Sequence, residues 1–390
     1  MKRTSVLTAP LLSLVLLACG SSPPPETASA AAPPPPPVTA TPAPEATKPV
    51  EPTPEEKKKA DALKELEKDR AKLKADSEAE KARWTPELKS EAKALTDKTF
   101  ASGKEAIKAA AASKARKASN AERDKQRHPV ETLEFFGFKP TMTVLEYGPG
   151  EGWYTELLAP AVAKKGKLLV TNGDPNGPAD DRGTFYAQRV KLFLESAPEL
   201  YGKVETVTVD GKAPKIEGKD GQVDLALVMR GLHGMVNSGK LDEWLAAVHA
   251  SLKPNGVLGI EQHRANADAK PEESAKKGYL PEKWVIERVE AAGFKLAGKS
   301  EINANPKDTK DYPDGVWTLP PTLKLGDKDK EKYLAIGESD RMTLKFTKVT
   351  AKTDKAGPAA KPADKTGDKA AEKPGDKPAE KPAAKPAEKK

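Results

Sequence analysis

Glu146, Gly148, Gly150 and Gly152 are the residues whose types and spacing point most directly to chemistry. They stand in Met142-Thr-Val-Leu-Glu-Tyr-Gly-Pro-Gly-Glu-Gly-Trp-Tyr154, an apolar run ending in a carboxylate, then three glycines at alternate positions. A helical pattern from Trp153 to Ala163 follows, so the stretch reads as strand, glycine turn, helix. Glycine lets the backbone take positive φ and lets a ligand approach the main chain closely. The free N–H groups at the start of the helix point into the same space. A pyrophosphate cradle wants G-x-G-x-x-G, and that register would need glycine where Trp153 stands. The pattern present instead places an acid at the strand end ahead of the glycines. A tight turn with no ligand is the other reading of the same residues.

Four histidines are the remaining groups that titrate near neutrality: His128, His233, His249 and His263. No pair has metal-ligand spacing and Cys19 is the only cysteine, so no structural metal is expected. His249 lies on an amphipathic pattern and reads as structural. His233 follows the fourth strand and His128 precedes the first, which makes them the candidate proton acceptors; His263 ends the fifth strand and has the same chemistry. For each of them a purely structural role weighs at least as much.

The elements that must position these groups alternate. After the first strand and helix come strands at Gly166–Thr171, Val204–Val209, Gln222–Met229 and Gly256–Glu261, a sixth running to about Ile302, and a last at Arg341–Thr347. Between them Tyr186, Val190, Phe193, Leu194 and Ala197 mark one helix face. Leu241, Trp244, Leu245, Val248 and Leu252 mark another. Pro281 opens a third helix that Gly293 ends. Upstream, Ser119-Asn-Ala-Glu122 is a capping-box pattern for a short helix to Arg127, and Pro129 starts a new helix through Phe136. Such alternation predicts an α/β fold: a doubly wound, mostly parallel seven-stranded sheet, with the last strand inserted antiparallel between the fifth and sixth. Ligands of such sheets bind at the carboxyl ends of the strands, where Glu146, Asn172, Asp210, Arg230 and Glu261 fall. The long connection Asn303–Asp340 holds Tyr312 and Trp317, which either cap a pocket or pack as a structural flap. Trp153 and Tyr154 either wall the pocket or bury the helix start.

Outside residues 119–349 the composition changes. The formal net charge of the chain is +8, and much of it sits in lysine-rich ends. Residues 1–18 read as a signal segment: basic start, short apolar core and Leu16-Leu-Ala ahead of Cys19. Residues 19–54 are a Pro/Ala-rich tether, and 55–118 form charged helices with a thin Leu63, Leu66, Leu73 stripe broken at Pro86. Residues 350–390 repeat Lys, Pro, Ala and Glu and read as a disordered tail. Acidic residues among its lysines dilute any patch, so nucleic acid is not an expected partner.

Together these motifs carry a resemblance. Glu146-Tyr-Gly-Pro-Gly-Glu-Gly resembles the first motif of class I S-adenosylmethionine-dependent methyltransferases. Arg127-His-Pro-Val-Glu-Thr-Leu133, Arg230-Gly-Leu-His233, Asn303-Ala-Asn-Pro-Lys-Asp308, Gly315-Val-Trp-Thr-Leu-Pro320 and Gly337-Glu-Ser-Asp-Arg-Met342 extend it to a family of predicted, exported members. The resemblance implies S-adenosylmethionine as cofactor, with Glu146, Tyr147, Gly148, Gly150, Gly152, Asn172, Asp174, Asp210 and Arg230 around it. Many such enzymes have an acid at the end of the second strand; here that place falls on Asn172, with Asp174 two residues later. Asp210 reads equally well as a loop aspartate. The region before Cys19 resembles a bacterial lipoprotein processing site, which implies lipidation of Cys19. No Asp follows the cysteine, which resembles the outer-membrane class. The expectation is a monomeric, lipid-anchored methyltransferase on the periplasmic face of the outer membrane, acting on a small-molecule or envelope acceptor. The alternative is a non-catalytic binding or scaffold lipoprotein, because the cofactor is made in the cytoplasm.

Overall fold

The computed structural model describes residues 53–349; Cys19, the signal segment, nearly all of the tether and the tail lie outside them. Seven strands form one sheet in the order β3-β2-β1-β4-β5-β7-β6. They are β1 (Thr143–Tyr147), β2 (Lys167–Asn172), β3 (Glu205–Thr208), β4 (Val223–Met229), β5 (Leu252–His263), β6 (Phe294–Ser300) and β7 (Arg341–Lys348). β1 to β5 pair in parallel, and β7 runs antiparallel to both β5 and β6. This is the insertion expected from the sequence. β5 is longer than its apolar run, because its first residues also pair with β4 through a register shift at Val223/Leu225.

The central strands are buried on both faces, and successive side chains go to opposite sides. Val144, Leu168, Val170, Leu225 and Leu227 join the core under the helix Thr155–Val162. Leu145, Leu169, Ala226 and Val228 join the core under the helices Leu241–Ser251 and Glu282–Ala291. Pro129 sits in the first turn of the helix Pro129–Phe136, and the residue before it, His128, takes a left-handed backbone with φ 41°.

The charged helices read from residues 55–118 turn out to be built into the domain from Trp84 onward. Pro86–Asp97, capped by Thr85, and Gly103–Ala111, capped by Ser102, lie against Thr155–Val162. Trp84, Ala92, Phe100, Ala106, Ile107 and Ala110 are buried in the same core as Leu157 and Leu158. The preceding helix Pro54–Arg83 buries only Leu66 of its leucine stripe. It is fastened by polar contacts: Arg70 donates to the carbonyl of Ala179 at 2.6 Å and to Gln188 at 2.8 Å, and Asp69 pairs with Arg182.

Two local expectations are corrected. The capping box at Ser119 does not form; the helix Ala118–Ala121 has no side-chain cap, and buried Asn120 instead donates to Glu156 at 2.8 Å. In the helix Arg182–Glu195 the core side carries Phe185, Ala187, Val190 and Phe193, while Tyr186 is 48% exposed. Phe185 and Tyr186 are adjacent, and either satisfies the helical spacing of that face nearly as well.

Candidate active site

Two cavities meet at the carboxyl ends of β1, β2 and β4. The larger, about 880 Å³, is lined by Asn172, Asp174, Asp210, Tyr186 and Trp244 among others. The smaller, about 300 Å³, is lined by Glu146, Trp153, Tyr154, Arg123, Arg127, Arg230, His263, Trp317 and Glu338 among others. Tyr147, Gly148, Gly150 and Arg189 line both, so the glycine turn forms the saddle between them.

The turn is built for open space on one side and for packing on the other. Gly148, Gly150 and Gly152 have φ of 52°, 62° and 81°, a region that side-chain-bearing residues avoid. A Cβ built on Gly148 or Gly150 would meet nothing within 4 Å. On Gly152 it would lie 2.1 Å from the Phe193 ring. Gly152 lines neither cavity; its missing side chain admits Phe193 and lets the helix close on the sheet. The N–H of Gly148 donates to Thr171 Oγ1 at 2.9 Å, which ties the turn to β2.

Glu146 is 3% exposed at the end of β1, and Thr155 donates to its Oε2 at 2.7 Å. Burial pushes its carboxyl up to about 7, against the opposing pull of Thr155 and Arg230. A carboxylate in that condition gains from a cation brought beside it. At the other end, Asn172 ties its own turn, donating to the carbonyl of Ala187 at 3.1 Å and accepting from the N–H of Gly173 at 3.0 Å. Asp174 and Asp210 each accept from a backbone N–H two residues on, at 2.8 Å, and both carboxylates are exposed at the cavity rim.

Residues 121–296 match a family model described as a methyltransferase domain. With the sheet order and the acid–glycine turn, that decides the class. Residues 121–296 carry a methyltransferase domain of the class I, S-adenosylmethionine-dependent kind. No curated protein matches it. Similar solved structures include a SAM-dependent methyltransferase from Aquifex aeolicus, with 20% identity, 58% of this chain and 93% of that one covered, and a TM-score of 0.39. A Burkholderia thailandensis 1,6-didemethyltoxoflavin-N1-methyltransferase with bound S-adenosylhomocysteine has 16% identity, coverage of 60% and 82%, and a TM-score of 0.36. A putative methyltransferase of Haloferax volcanii, solved in complex with the Trm112 activator, has 15% identity, coverage of 64% and 99%, and a TM-score of 0.39.

Within this methyltransferase the histidines sort differently from their expected ranking. His128 lines neither cavity; its Nδ1 lies 3.4 Å from Asn303 Oδ1, at the hinge between two helices. His233 also lines neither: its Nδ1 lies 3.4 Å from Gln262 Nε2, and its ring is 5.8 Å from Trp317. His263 is the histidine on the wall of the smaller cavity, 5.9 Å from His233 between ring centres. Its Nδ1 lies 2.5 Å from Ser339 Oγ. Burial, then His233 and the nearby arginines, hold its imidazole well below the usual range, so it is neutral. His263 ends β5, as read from the sequence, and the strand's last two residues past Glu261 bring it to the cavity.

Trp317 lines the smaller cavity with Val316, Pro320 and Pro321, so part of the long connection is a cavity wall. Tyr312 is elsewhere, packed with Leu319 and Tyr333. The connection is held by its own polar residues. Asn303 donates to Thr132 and Thr343, both at 3.0 Å, and Asp308 accepts from Tyr279 at 3.1 Å and from the N–H of Asp340 at 2.8 Å. Trp153 and Tyr154 do both of the things weighed for them. They line the smaller cavity and are 4% and 2% exposed. The indole of Trp153 donates to the carbonyl of Asn120 at 2.9 Å and the Tyr154 hydroxyl to Glu261 at 2.8 Å.

The feature that sequence reasoning missed is a buried ion network behind this wall. Arg127 Nε donates to both oxygens of Glu338, at 2.8 and 3.0 Å, and Arg123 Nε to one, at 3.2 Å. Arg341 bridges Glu338 at 2.6 Å and Glu261 at 3.2 Å, and Arg230 reaches Glu261 at 3.1 Å. Burial opposes ionisation of Glu338, yet Arg127 and Arg341 hold its carboxyl down to about 2. Arg230 has a left-handed backbone, φ 58°, and its N–H donates to the carbonyl of Glu261 at 2.6 Å. The partners are more than two hundred residues apart in sequence for Arg127 and Glu338, and no local pattern connects them.

Proposed function

We propose that the two cavities are one methyl-transfer site, the larger holding the adenosine side of the cofactor and the smaller the methionine side together with the acceptor. The open saddle at Gly148 and Gly150, beside the buried Glu146, carries this reading. Asn172, Asp174 and Asp210 line the larger cavity, with exposed Tyr186 offering an aromatic face beside Arg189. Glu146 would hold the cofactor's ammonium, and Arg230 stands on the same wall. Bound there, S-adenosylmethionine supplies an electrophilic methyl group. The protein's share is alignment and exclusion of water, which can supply much of a rate. Trp153, Tyr154, Val316, Trp317 and Pro320 provide the apolar wall. His263 stands neutral on that wall; with burial and the nearby arginines opposing its protonation, it serves to orient the acceptor by a hydrogen bond rather than to take up a proton.

The reading predicts a pH dependence. The carboxyl of Glu146 is raised from the ordinary 4.5 to about 7 in the folded protein. The folded state therefore binds its proton more tightly, and this contribution to stability is lost as pH rises through that window. A ligand ammonium needs the ionised form, so affinity runs the opposite way. S-adenosylhomocysteine is expected to bind about tenfold more weakly near pH 6 than near pH 8. Glu146→Gln should flatten that difference to within about twofold. Equal pH dependence in the two proteins, measured by calorimetry, would remove Glu146 from the site.

We further propose that the protein is held at the cell envelope by lipid on Cys19, with a small-molecule or envelope component as acceptor. The basic start, apolar core and small residue before Cys19 support this. Cys19→Ser is expected to move the protein from the membrane to the soluble fraction; an unchanged distribution would reject the anchor.

A further inference from the structure

The wall of the smaller cavity carries more positive than negative charge. Arg123, Arg127, Arg230 and Arg341 share only Glu338 and Glu261 in the buried network, so four guanidiniums face two carboxylates. The other carboxylates nearby do not close the gap. Glu151 is exposed and pairs with Arg189 at 3.4 Å. Glu146, raised by burial to about 7, is only partly ionised at neutral pH and is matched by the cofactor's ammonium in the proposed site. Arg116 stands over the Trp153 ring, as Arg127 does, but has its own carboxylates in Asp124 and Glu156.

The donors are also incompletely used. Arg127 is 3% exposed, and among the described residues it donates only through Nε, leaving both terminal amino groups without an acceptor. Arg123 likewise donates only through Nε, and Arg230 only through Nη1. All three line the smaller cavity. Each is paired once, to Glu338 or Glu261, and keeps unused donors on the cavity side; a guanidinium fork fits an oxyanion through two parallel N–H bonds. S-adenosylmethionine brings one carboxylate to this cavity, which Arg230 can take; Arg123 and Arg127 keep their free donors.

We propose that the smaller cavity is an oxyanion site and that the methyl acceptor bears a carboxylate or phosphate group seated on Arg123 and Arg127. The inference rests on the methyltransferase reading for the neighbouring cofactor, and its test keeps the two apart. The full chain is first titrated with S-adenosylhomocysteine. The saturated protein is then titrated separately with inorganic phosphate and with succinate. At least one oxyanion is expected to bind in the millimolar range or tighter, and the preferred one tells phosphate from carboxylate. Arg123→Met should weaken that binding by about tenfold or more while changing S-adenosylhomocysteine affinity by less than about threefold. Arg123→Lys keeps a charge beside Glu338 but loses the fork, and should fall between. Lys89→Met, on the exposed side of a distant helix, should change neither. If neither oxyanion binds the saturated wild type, or if Arg123→Met binds as tightly, the oxyanion site is overturned while the methyltransferase reading stands. Failure of S-adenosylhomocysteine to bind the wild type would overturn both.

Discussion

A Gly148→Val protein is expected to stay folded and to lose S-adenosylhomocysteine affinity by about a hundredfold or more, about 2.7 kcal/mol. The new side chain would start in space where a Cβ meets nothing within 4 Å, so no protein atom crowds its attachment point. Its cost to the fold is the left-handed backbone at φ 52°, roughly 1–2 kcal/mol. For a domain of this size that corresponds to a few degrees in Tm. Gly152→Ala should do the reverse. Its Cβ would sit 2.1 Å from the Phe193 ring at φ 81°, so strain and overpacking add, to about 3 kcal/mol or more. Thermal unfolding and calorimetry on the two proteins separate the roles. A Gly148→Val protein that binds normally, or a Gly152→Ala protein as stable as the parent, would show that the turn has been misread.

Arg341→Met should be the most damaging single change to stability. The side chain is 1% exposed and holds Glu338 at 2.6 Å, Glu261 at 3.2 Å and the carbonyl of Gln126. Removing one partner of a buried ion network costs about 3–5 kcal/mol, because the remaining charges stay buried. The pH dependence identifies the cause. Burial works against both carboxyls, but Arg127 and Arg341 hold Glu338 down to about 2, and Arg230 and Arg341 lower Glu261. Their contribution is present above the ordinary carboxylate range and is lost as pH falls toward those lowered values. Without Arg341 the carboxyls protonate more readily, so the difference from wild type in denaturant unfolding should shrink between about pH 7.5 and pH 4. Adding Glu338→Gln to Arg341→Met should recover part of the loss. A pH-independent difference would point to lost packing instead.

The parts of this molecule written in short-range pattern were readable from the chain. The strand, turn and helix around Glu146 were, and so was the sheet with its inserted β7, because Met342, Leu344 and Phe346 alternate; the connection before it reads as non-helical, but it contains the short helix Lys330–Ile336, whose few residues carry little period. The carboxyl-end positions of Asn172, Asp210 and Arg230 followed from strand ends, Asp174 from the resemblance, and all four line the two cavities. What escaped was written in distance. Glu338 and Arg127 look like ordinary surface charges until the fold closes. The helices at Pro86–Asp97 and Gly103–Ala111 bury alanines, whose small side chains give little apolar signal among lysines and glutamates. His128 and His263 could not be ranked, because which of them faces the cavity depends on a helix boundary and on the length of β5.

The margins of the sheet bear on how copies of this protein behave at high local concentration. At one margin β3 spans only Glu205–Thr208. At the other, β6 breaks register against β7 at Leu296/Gly298 and turns Lys295 and Lys299 outward. A short rim on one side, and a kinked and charged one on the other, offer no straight ladder for a second chain to extend. Strand-by-strand polymerisation is thereby discouraged at both open borders, without a single cysteine among residues 53–349 to lock the fold covalently.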